Sequence, residues 1–250
     1  MTKPQITKKE RIDYSKIRSE KRGRKVSLNQ EVFVVPGGVV FDVFSFIYNE
    51  PEILKVFLEH YKNARTITIY DNQSSVDYTS IVKRYPNTKL VEWDTGGSFD
   101  DNALTEMKNT CWKDSDADWV VVCDLDELLF SALPETADYI ETIAYDVSQE
   151  NYEPKLDHRK LRYIRSQRYD KSVAFKPEVG MVYARGAHRA KVAKPGAKPG
   201  RGYLLHLKYY GHERTVTKWL SGRVVDVSTY SRDELLTMIH QISLTAKTYG

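Results

Sequence analysis

The chain has 250 residues, of which 41% are hydrophobic and 29% are charged, a composition that excludes a disordered chain and suits one globular domain with a sizeable core. Its apolar runs are far shorter than the ~20 residues of a membrane-spanning helix. The net charge of +4 conceals a strong polarity, because residues 26–154 carry −16 and residues 155–215 carry +12, which favours cation binding in the first part and anion binding in the second.

Residues 1–27 form a basic arm with few large apolar side chains, and residues 1–25 alone carry a net charge of +7. We expect a solvated arm or a short surface helix that stays out of the core. The arm holds no apolar segment typical of a secretion signal. Two cysteines are too few for a disulfide framework, so a reducing cytoplasm is the simplest location.

Three apolar runs, at residues 39–47, 66–70 and 119–123, predict strands that are buried on both faces of a parallel sheet. Polar residues follow each run directly. These are Tyr48-Asn49-Glu50, Asp71-Asn72 and Asp124-Leu125-Asp126-Glu127.

Helical patterns lie between these strands. Pro51 suits a first helical position, and an apolar stripe continues to Tyr61. A second helix is predicted at about residues 102–112, with Asp101 as its cap. Strands that alternate with helices imply right-handed crossovers, which bring the polar residues after each strand to one edge of the sheet. In open α/β sheets that edge binds ligands.

The later part of the chain is less regular. Short strands are predicted near residues 173–175, 181–183 and 203–207, and residues 194–202 predict either a mobile loop or an inert surface excursion. Two helical stretches close the chain, the second with a capping-box pattern at Ser231 and Glu234.

Asp124 and Asp126 stand two residues apart directly after a buried strand and opposite a strand that ends in Asp71-Asn72. Carboxylates in this arrangement form a hard, oxygen-rich site. Such a site suits Mg²⁺ or Mn²⁺ shared with the phosphates of a nucleotide. We therefore expect the aspartates of neighbouring strands to gather around one ion.

A resemblance to a known family rests on a series of motifs in order. They are Tyr48-Asn49-Glu50, residues 69–75, Asn109, Trp112, and residues 118–127, 169–172, 186–188 and 204–211. Over residues 39–225 this series resembles the family-2-type glycosyltransferases of the GT-A fold. The resemblance implies a Rossmann-like α/β domain with a mostly parallel central sheet flanked by helices. Residues 28–154 would form its nucleotide-sugar half, and residues 155–250 its smaller, irregular acceptor half with C-terminal helices.

The resemblance also implies roles for single residues. The sugar donor would be a nucleotide-sugar, with a UDP-sugar as the first choice, and Asp71 would accept a hydrogen bond from its base. Asp124 would bind the ribose or the metal's water shell. Asp126 would ligate the Mn²⁺ or Mg²⁺ ion on the diphosphate, and His206 would complete the metal or diphosphate site, so that the metal set is Asp124, Asp126 and His206. The further residues assigned to nucleotide binding are Asn49, Asp101 and Asn109.

An inverting transfer needs a base that takes the proton of the acceptor hydroxyl. The basic half offers few carboxylates. We favour His188 or Glu178 as the base and do not separate them. His188 is chemically suitable because a neutral imidazole accepts a proton near pH 7. Asp170 is a third candidate, although it can equally form a structural ion pair, and Asp157 and Glu213 complete the set.

Charge is the only indication of the acceptor. A basic half rich in tyrosine suits an anionic acceptor. By the resemblance this is a glycan, a lipid-linked glycan, or hydroxymethylated cytosine in phage DNA, which would have to leave the base stack. A phage enzyme would work in the host cytoplasm, and the basic arm would also suit anionic lipid headgroups at the inner membrane.

Two other classes of protein remain open. A nucleotidyltransferase on sugar phosphates would use the same carboxylates, but residues 34–38 are a poor version of its glycine-rich loop. A non-catalytic nucleic-acid-binding protein would explain the basic half and leave the acidic residues after the strands without a role.

Overall fold

A computed structural model describes residues 37–96, 100–149, 152–153, 156 and 161–211. The described helices are α1 (Pro51–Tyr61), α2 (Thr79–Val82) and α3 (Asp101–Thr110). The described strands are β1 (Phe41–Ile47), β2 (Thr66–Asp71), β3 (Thr88–Glu92), β4 (Trp119–Val122), β5 (Glu127–Phe130), β6 (Tyr139–Gln149), β7 (Arg162–Arg165), β8 (Ala174–Phe175), β9 (Met181–Tyr183), β10 (Ala190–Val192) and β11 (Pro199–Tyr210). The predicted arm at residues 1–27, the helices predicted after residue 215, Asp157 and Glu213 lie outside the described residues.

Nine strands form one sheet in the order β3-β2-β1-β4-β8-β6-β11-β5, with β7 paired to β6, while β9 and β10 form a separate hairpin. The pairs β3–β2, β2–β1, β1–β4 and β6–β11 are parallel, and the pairs made by β5, β7 and β8 are antiparallel. The predicted α/β class with a central sheet is confirmed. The order β3-β2-β1-β4 is that of a doubly wound sheet, in which β1 and β4 flank the point where the connections change direction.

The elements around this point follow from their apolar patterns. All four residues of β4 are buried, as are six of the seven in β1, because the sheet is covered on both faces there. Helix α1 begins at Pro51 as predicted and buries a stripe that runs from Ile53 to Tyr61. Burial of each large apolar side chain contributes about 1.5–3 kcal/mol, so this packing holds the carboxyl ends of β1 and β4 in place.

Helix α3 differs from the prediction at its first turn. Its cap is Asp100, whose carboxylate accepts hydrogen bonds from the backbone N–H of Asn102 (2.7 Å) and of Ala103 (3.3 Å). Asp101 is already inside the helix. Two aspartates in succession offer two possible caps, and the extended backbone at Asp100 decides between them.

The predicted loop at residues 194–202 is a strand over its last four residues, because β11 begins at Pro199 and pairs with β6 from Tyr139 onward. Close packing explains two of the glycines that suggested a loop, Gly200 and Gly202. A Cβ at Gly202 would lie 2.7 Å from the Cβ of Ser131. None of the helices in the described part of the chain is long and apolar enough to cross a membrane.

Candidate functional site

The carboxyl ends of β2, β1 and β4 lie side by side at one edge of the sheet. Asp71 closes β2 and Asp124 follows β4, with β1 between them. Two strand spacings separate these residues by about 10 Å. Asp71 and Asp124 thus stand in two separate polar parts of this edge, and an ion shared by Asp71, Asp124 and Asp126 remains a prediction.

The first part joins the turns that follow β1 and β2. Asn49 has a left-handed backbone (φ +53°), and its side-chain oxygen accepts a hydrogen bond from the N–H of Ser75 (2.9 Å). Asp71 accepts one from the N–H of Ser74 (3.0 Å), whose hydroxyl accepts from the N–H of Asn49 (2.9 Å). These bonds fix the two turns together as one wall of the edge.

The second part centres on Asp124, whose two carboxylate oxygens each face a buried lysine. Lys108 from α3 lies 2.5 Å from Oδ1, and Lys171, just before β8, lies 3.4 Å from Oδ2. Both lysine side chains are fully buried. Burial opposes the charge of Asp124, but Lys108 and Lys171 outweigh it and hold the pKa of that carboxyl below its ordinary value.

Lys171 binds more than Asp124. Its ammonium also lies 2.8 Å from Oε1 of Glu127 and donates to the carbonyl of Ala187 (3.0 Å). Burial lowers the pKa of Lys171, but the two carboxylates outweigh this and raise it above its ordinary value. The other oxygen of Glu127 accepts a bond from the N–H of Asp124 (3.0 Å), so the cluster is closed on itself.

Asp126, which is buried, faces His206 from β11, with Oδ2 3.6 Å from Nε2. The other ring nitrogen of His206 lies 2.8 Å from Oδ1 of Asp146 in β6. Burial lowers the pKa of His206, but Asp126 and Asp146 raise it, to about 9. The imidazole is therefore charged at pH 7 and pairs with one carboxylate at each ring nitrogen.

Asp126 and His206 would hold a Mn²⁺ or Mg²⁺ ion once the imidazole has lost a proton, because metal-binding histidines are neutral. Adjacent ligands at ~2.1 Å from an octahedral ion lie ~3.0 Å apart, so the observed separation of 3.6 Å would also have to shorten. In the described ranges no group of three His, Cys, Asp or Glu side chains is arranged to hold an ion. Phosphate oxygens and water would therefore supply the remaining ligands, as is usual for Mg²⁺. Asp124 fits as a direct ligand less well, because both its oxygens face lysines.

His188 lies beside this cluster, one residue after the carbonyl that Lys171 binds. Its ring makes an edge-to-face contact with Tyr169 (5.2 Å between centroids), and Tyr169 also packs on His206 (4.3 Å). Burial, together with Arg168, Lys171 and Lys108, lowers the pKa of His188 against the opposing effect of Asp124. The neutral imidazole is therefore favoured at pH 7, as a base requires.

The other two base candidates differ in what removes them from this step. Strand β8 runs antiparallel to β4, so Glu178, which follows it, lies toward the opposite edge of the sheet. Asp170 pairs with Arg165 and accepts from the N–H of Ala144 (2.7 Å), which ties it to β6 and β7.

The structure gives Asn109 a structural place. Its amide accepts from the N–H of Tyr183 (2.7 Å) and donates to the carbonyl of the same residue (3.2 Å). Both polar atoms of the side chain are thus used on the backbone of β9. Asp101 stays in the first turn of α3, and its assignment to nucleotide binding remains a prediction.

Sequence reasoning missed Lys108, Lys171 and Asp146. A signal existed for Lys108, because it lies one helical turn from both Leu104 and Trp112, and both of these side chains are buried. A lysine on an apolar stripe indicates a buried partner. No comparable pattern marks Lys171 or Asp146, whose partners come from distant parts of the chain.

Comparisons with known proteins add little. No family model matches the sequence, and a search of curated proteins finds no match. Among solved structures, TarS residues 1–349 from S. aureus is 12% identical, covering 79% of this chain and 69% of that one at a TM-score of 0.39. The same protein in complex with UDP is 11% identical, covering 79% of this chain and 70% of that one at a TM-score of 0.40. HddC from Yersinia pseudotuberculosis is 12% identical, covering 68% of this chain and 95% of that one at a TM-score of 0.35. At these TM-scores the likeness carries no weight for function.

Proposed function

We propose that the chain is a glycosyltransferase that moves a sugar from a nucleotide-sugar, a UDP-sugar in the first instance, to a hydroxyl acceptor. One observation carries the proposal. At the point where the doubly wound sheet changes direction, the carboxylates after β4 meet two buried lysines and an imidazole. Open α/β sheets bind their ligands there, and a divalent cation held beside this cluster would supply the positive charge that a diphosphate requires.

Asp126 and His206 would hold a Mn²⁺ or Mg²⁺ ion, which when bound supplies Lewis-acid stabilisation of the departing diphosphate. The wall formed by Asn49 and Asp71 lies about 10 Å from Asp124, a span that suits the base end of the nucleotide. The buried lysines keep Asp124 charged and fixed, so that it can accept a hydrogen bond from the ribose without rearrangement. Prior organisation of this kind removes a cost from the transition state.

His188 is the proposed base. It accepts the proton of the acceptor hydroxyl as the oxygen of that hydroxyl bonds to the anomeric carbon, and the bond from that carbon to the diphosphate breaks with its electron pair. Glu178 lies toward the opposite edge of the sheet, and Asp170 is committed to Arg165. Neither is positioned for this step.

The acceptor is proposed to be anionic. Three arginines near His188 are exposed, Arg168, Arg185 and Arg189. Arg185 and Arg189 are close to His188 in sequence, and Arg168 lowers the pKa of His188. A glycan, a lipid-linked glycan and hydroxymethylated DNA all remain candidates, with a cytoplasmic setting, in the host cell for a phage enzyme.

The first experiment is a screen of nucleotide-sugars for thermal stabilisation and for slow hydrolysis, with Mn²⁺, with Mg²⁺ and with chelator. We expect stabilisation by one donor and metal-dependent hydrolysis that Asp126→Asn abolishes. The best donor is then offered with the three acceptors in parallel. His188→Gln should lose transfer, and Glu178→Gln, matched in chemistry but at the opposite edge, should retain it.

Two outcomes would replace the proposal. Release of pyrophosphate from a nucleoside triphosphate and a sugar phosphate, with no sugar transfer, would identify a nucleotidyltransferase. Full retention of every measured activity by Asp126→Ala, together with loss of DNA binding on charge reversal at Lys191, would identify a nucleic-acid-binding protein.

A further inference from the structure

The segment before His188 has an unusual backbone. Residues Arg185–Ala187 form a tight turn with a left-handed backbone, in which Gly186 has φ +74° and Ala187 has φ +51°. Ala187 carries a Cβ, so this left-handed conformation costs free energy that its surroundings must offset. The turn is therefore held by contacts outside itself.

Those contacts come from three directions. Asn109 binds both backbone polar groups of Tyr183, just before the turn. The N–H of Ala184 donates to the carbonyl of Arg189 (3.0 Å), which closes the turn's base. The carbonyl of Ala187 itself accepts a hydrogen bond from the fully buried ammonium of Lys171 (3.0 Å).

The three partners of Lys171 belong to two parts of the proposed reaction. The ammonium of Lys171 donates hydrogen bonds to the carbonyl of Ala187 (3.0 Å) and to Asp124 (3.4 Å), and it forms an ion pair with Glu127 (2.8 Å). Asp124 and Glu127 belong to the proposed sugar-donor site. Ala187 precedes the proposed base, His188. Lys171 thus contacts both parts directly.

The position of the His188 ring depends on the groups that surround it. Among the described residues its Nδ1 is buried and has no hydrogen-bond partner, so hydrogen bonds of its own ring do not fix it. Gly186 lies against the other side of the ring, where a Cβ would be 3.8 Å from Nε2. The charged groups that act on the ring are Arg168, Lys171, Lys108 and Asp124.

We propose that Lys171 is a positioning residue that sets the place of His188 relative to the sugar donor. This inference rests on the proposed function. The ammonium holds the strained turn against Asp124 and Glu127, so that the imidazole meets the acceptor hydroxyl at a fixed distance from the anomeric carbon. No proton passes through Lys171. A misplacement of about 1 Å in such an arrangement lowers the rate of transfer by about 100-fold.

The test compares Lys171→Met with Lys108→Met. Both substitutions remove one buried cation from Asp124, but only the first removes a hydrogen bond to the turn. The first readout is amide hydrogen exchange at Ala184 and Ala187, measured without any substrate. We expect on the order of 10-fold faster exchange or more in Lys171→Met, and exchange close to that of the unchanged protein in Lys108→Met.

The second readout is the ratio of sugar transfer to donor hydrolysis. We expect both variants to lose donor hydrolysis by similar factors, and Lys171→Met to lose a further ~10- to 100-fold in transfer only. The double variant Lys171→Met/Glu127→Gln also removes the charge of Glu127, the carboxylate that loses its ammonium in Lys171→Met. It serves as the second variant if the single one does not fold.

Equal exchange at Ala184 and Ala187 in the two lysine variants would overturn the inference, as would equal loss of transfer. The failure of every nucleotide-sugar to react would instead overturn the proposed function and leave the exchange result intact. The two failures are therefore distinguishable.

Discussion

The ion pair between Lys108 and Asp124 predicts a measurable coupling free energy. The two groups lie 2.5 Å apart, Lys108 is fully buried, and 35% of the Asp124 side chain is exposed. A hydrogen bond between charged groups contributes about 1.5–3 kcal/mol to stability. Because Asp124 is partly exposed and keeps Lys171 as a second partner, we expect the lower half of that range, about 1.5–2 kcal/mol.

The assay is a double-mutant cycle in urea with Lys108→Met and Asp124→Ala, alone and together. Asp124→Ala should lower the free energy of unfolding more than Lys108→Met does. The first substitution leaves the fully buried ammonium of Lys108 without its carboxylate, whereas Asp124, when it loses Lys108, can be hydrated by water. A control cycle uses the exposed pair of Glu59, in the last turn of α1, and Lys62, directly after that helix, which lie 2.7 Å apart and for which about 0.3–0.5 kcal/mol is expected. A coupling at Lys108 and Asp124 no larger than that of the control would refute the pairing.

Three further predictions concern other parts of the chain. Asp146→Asn removes the charge that holds His206, and we expect Mn²⁺ affinity, followed by electron paramagnetic resonance, to fall about 10- to 100-fold. Burial raises the pKa of Cys111 to about 12 and raises that of Cys123 as well, so neither thiol should react with a thiol reagent at pH 8 until the protein unfolds. Gly202→Ala should destabilise the fold by about 1–3 kcal/mol in urea, because the new Cβ would overlap the Cβ of Ser131.

Each has an outcome that would contradict it. Unchanged Mn²⁺ affinity in Asp146→Asn would remove the case for a metal at His206. Labelling of both thiols in the native protein, at the rate found in denaturant, would contradict the burial of Cys123 and the partial burial of Cys111. Wild-type stability of Gly202→Ala would mean that residues 199–202 are a loop, as the sequence had suggested. Gly196→Ala serves as a comparison, because Gly196 lies in open space at φ +76° and its substitution measures the separate cost of a left-handed backbone.

Local patterns were sufficient for the parallel side of the sheet. Strands β1, β2 and β4 and helix α1 each carry an apolar pattern of the right period within a few residues, and crossover handedness then places Asp71 and Asp124 at one edge. The antiparallel side was beyond such reasoning. Strand β8 has two residues, and β11 pairs with strands that lie 60 or more positions away, so its pairing depends on contacts that no short window contains.

The same limit applies to the site. Asp124 and Asp126 were predicted because they directly follow a strand, and the structure places them at the expected edge. That Asp124 faces lysines and that only Asp126 approaches His206 depends on side chains from α3, from the segment before β8 and from β11. His188 and Glu178 were equivalent by chemistry, and the direction of one two-residue strand separates them.

The closed cluster around Asp124 draws one of its cations from beyond residue 155 and its carboxylates from before it. β11 likewise lies between β6 and β5. A break in the chain near residue 154 would thus leave two polypeptides that each expose unmatched charges and an open sheet edge. We expect such fragments to refold only when they are expressed together. The protein is therefore a candidate for split-reporter reconstitution, and it is a poor candidate for truncation into separate modules.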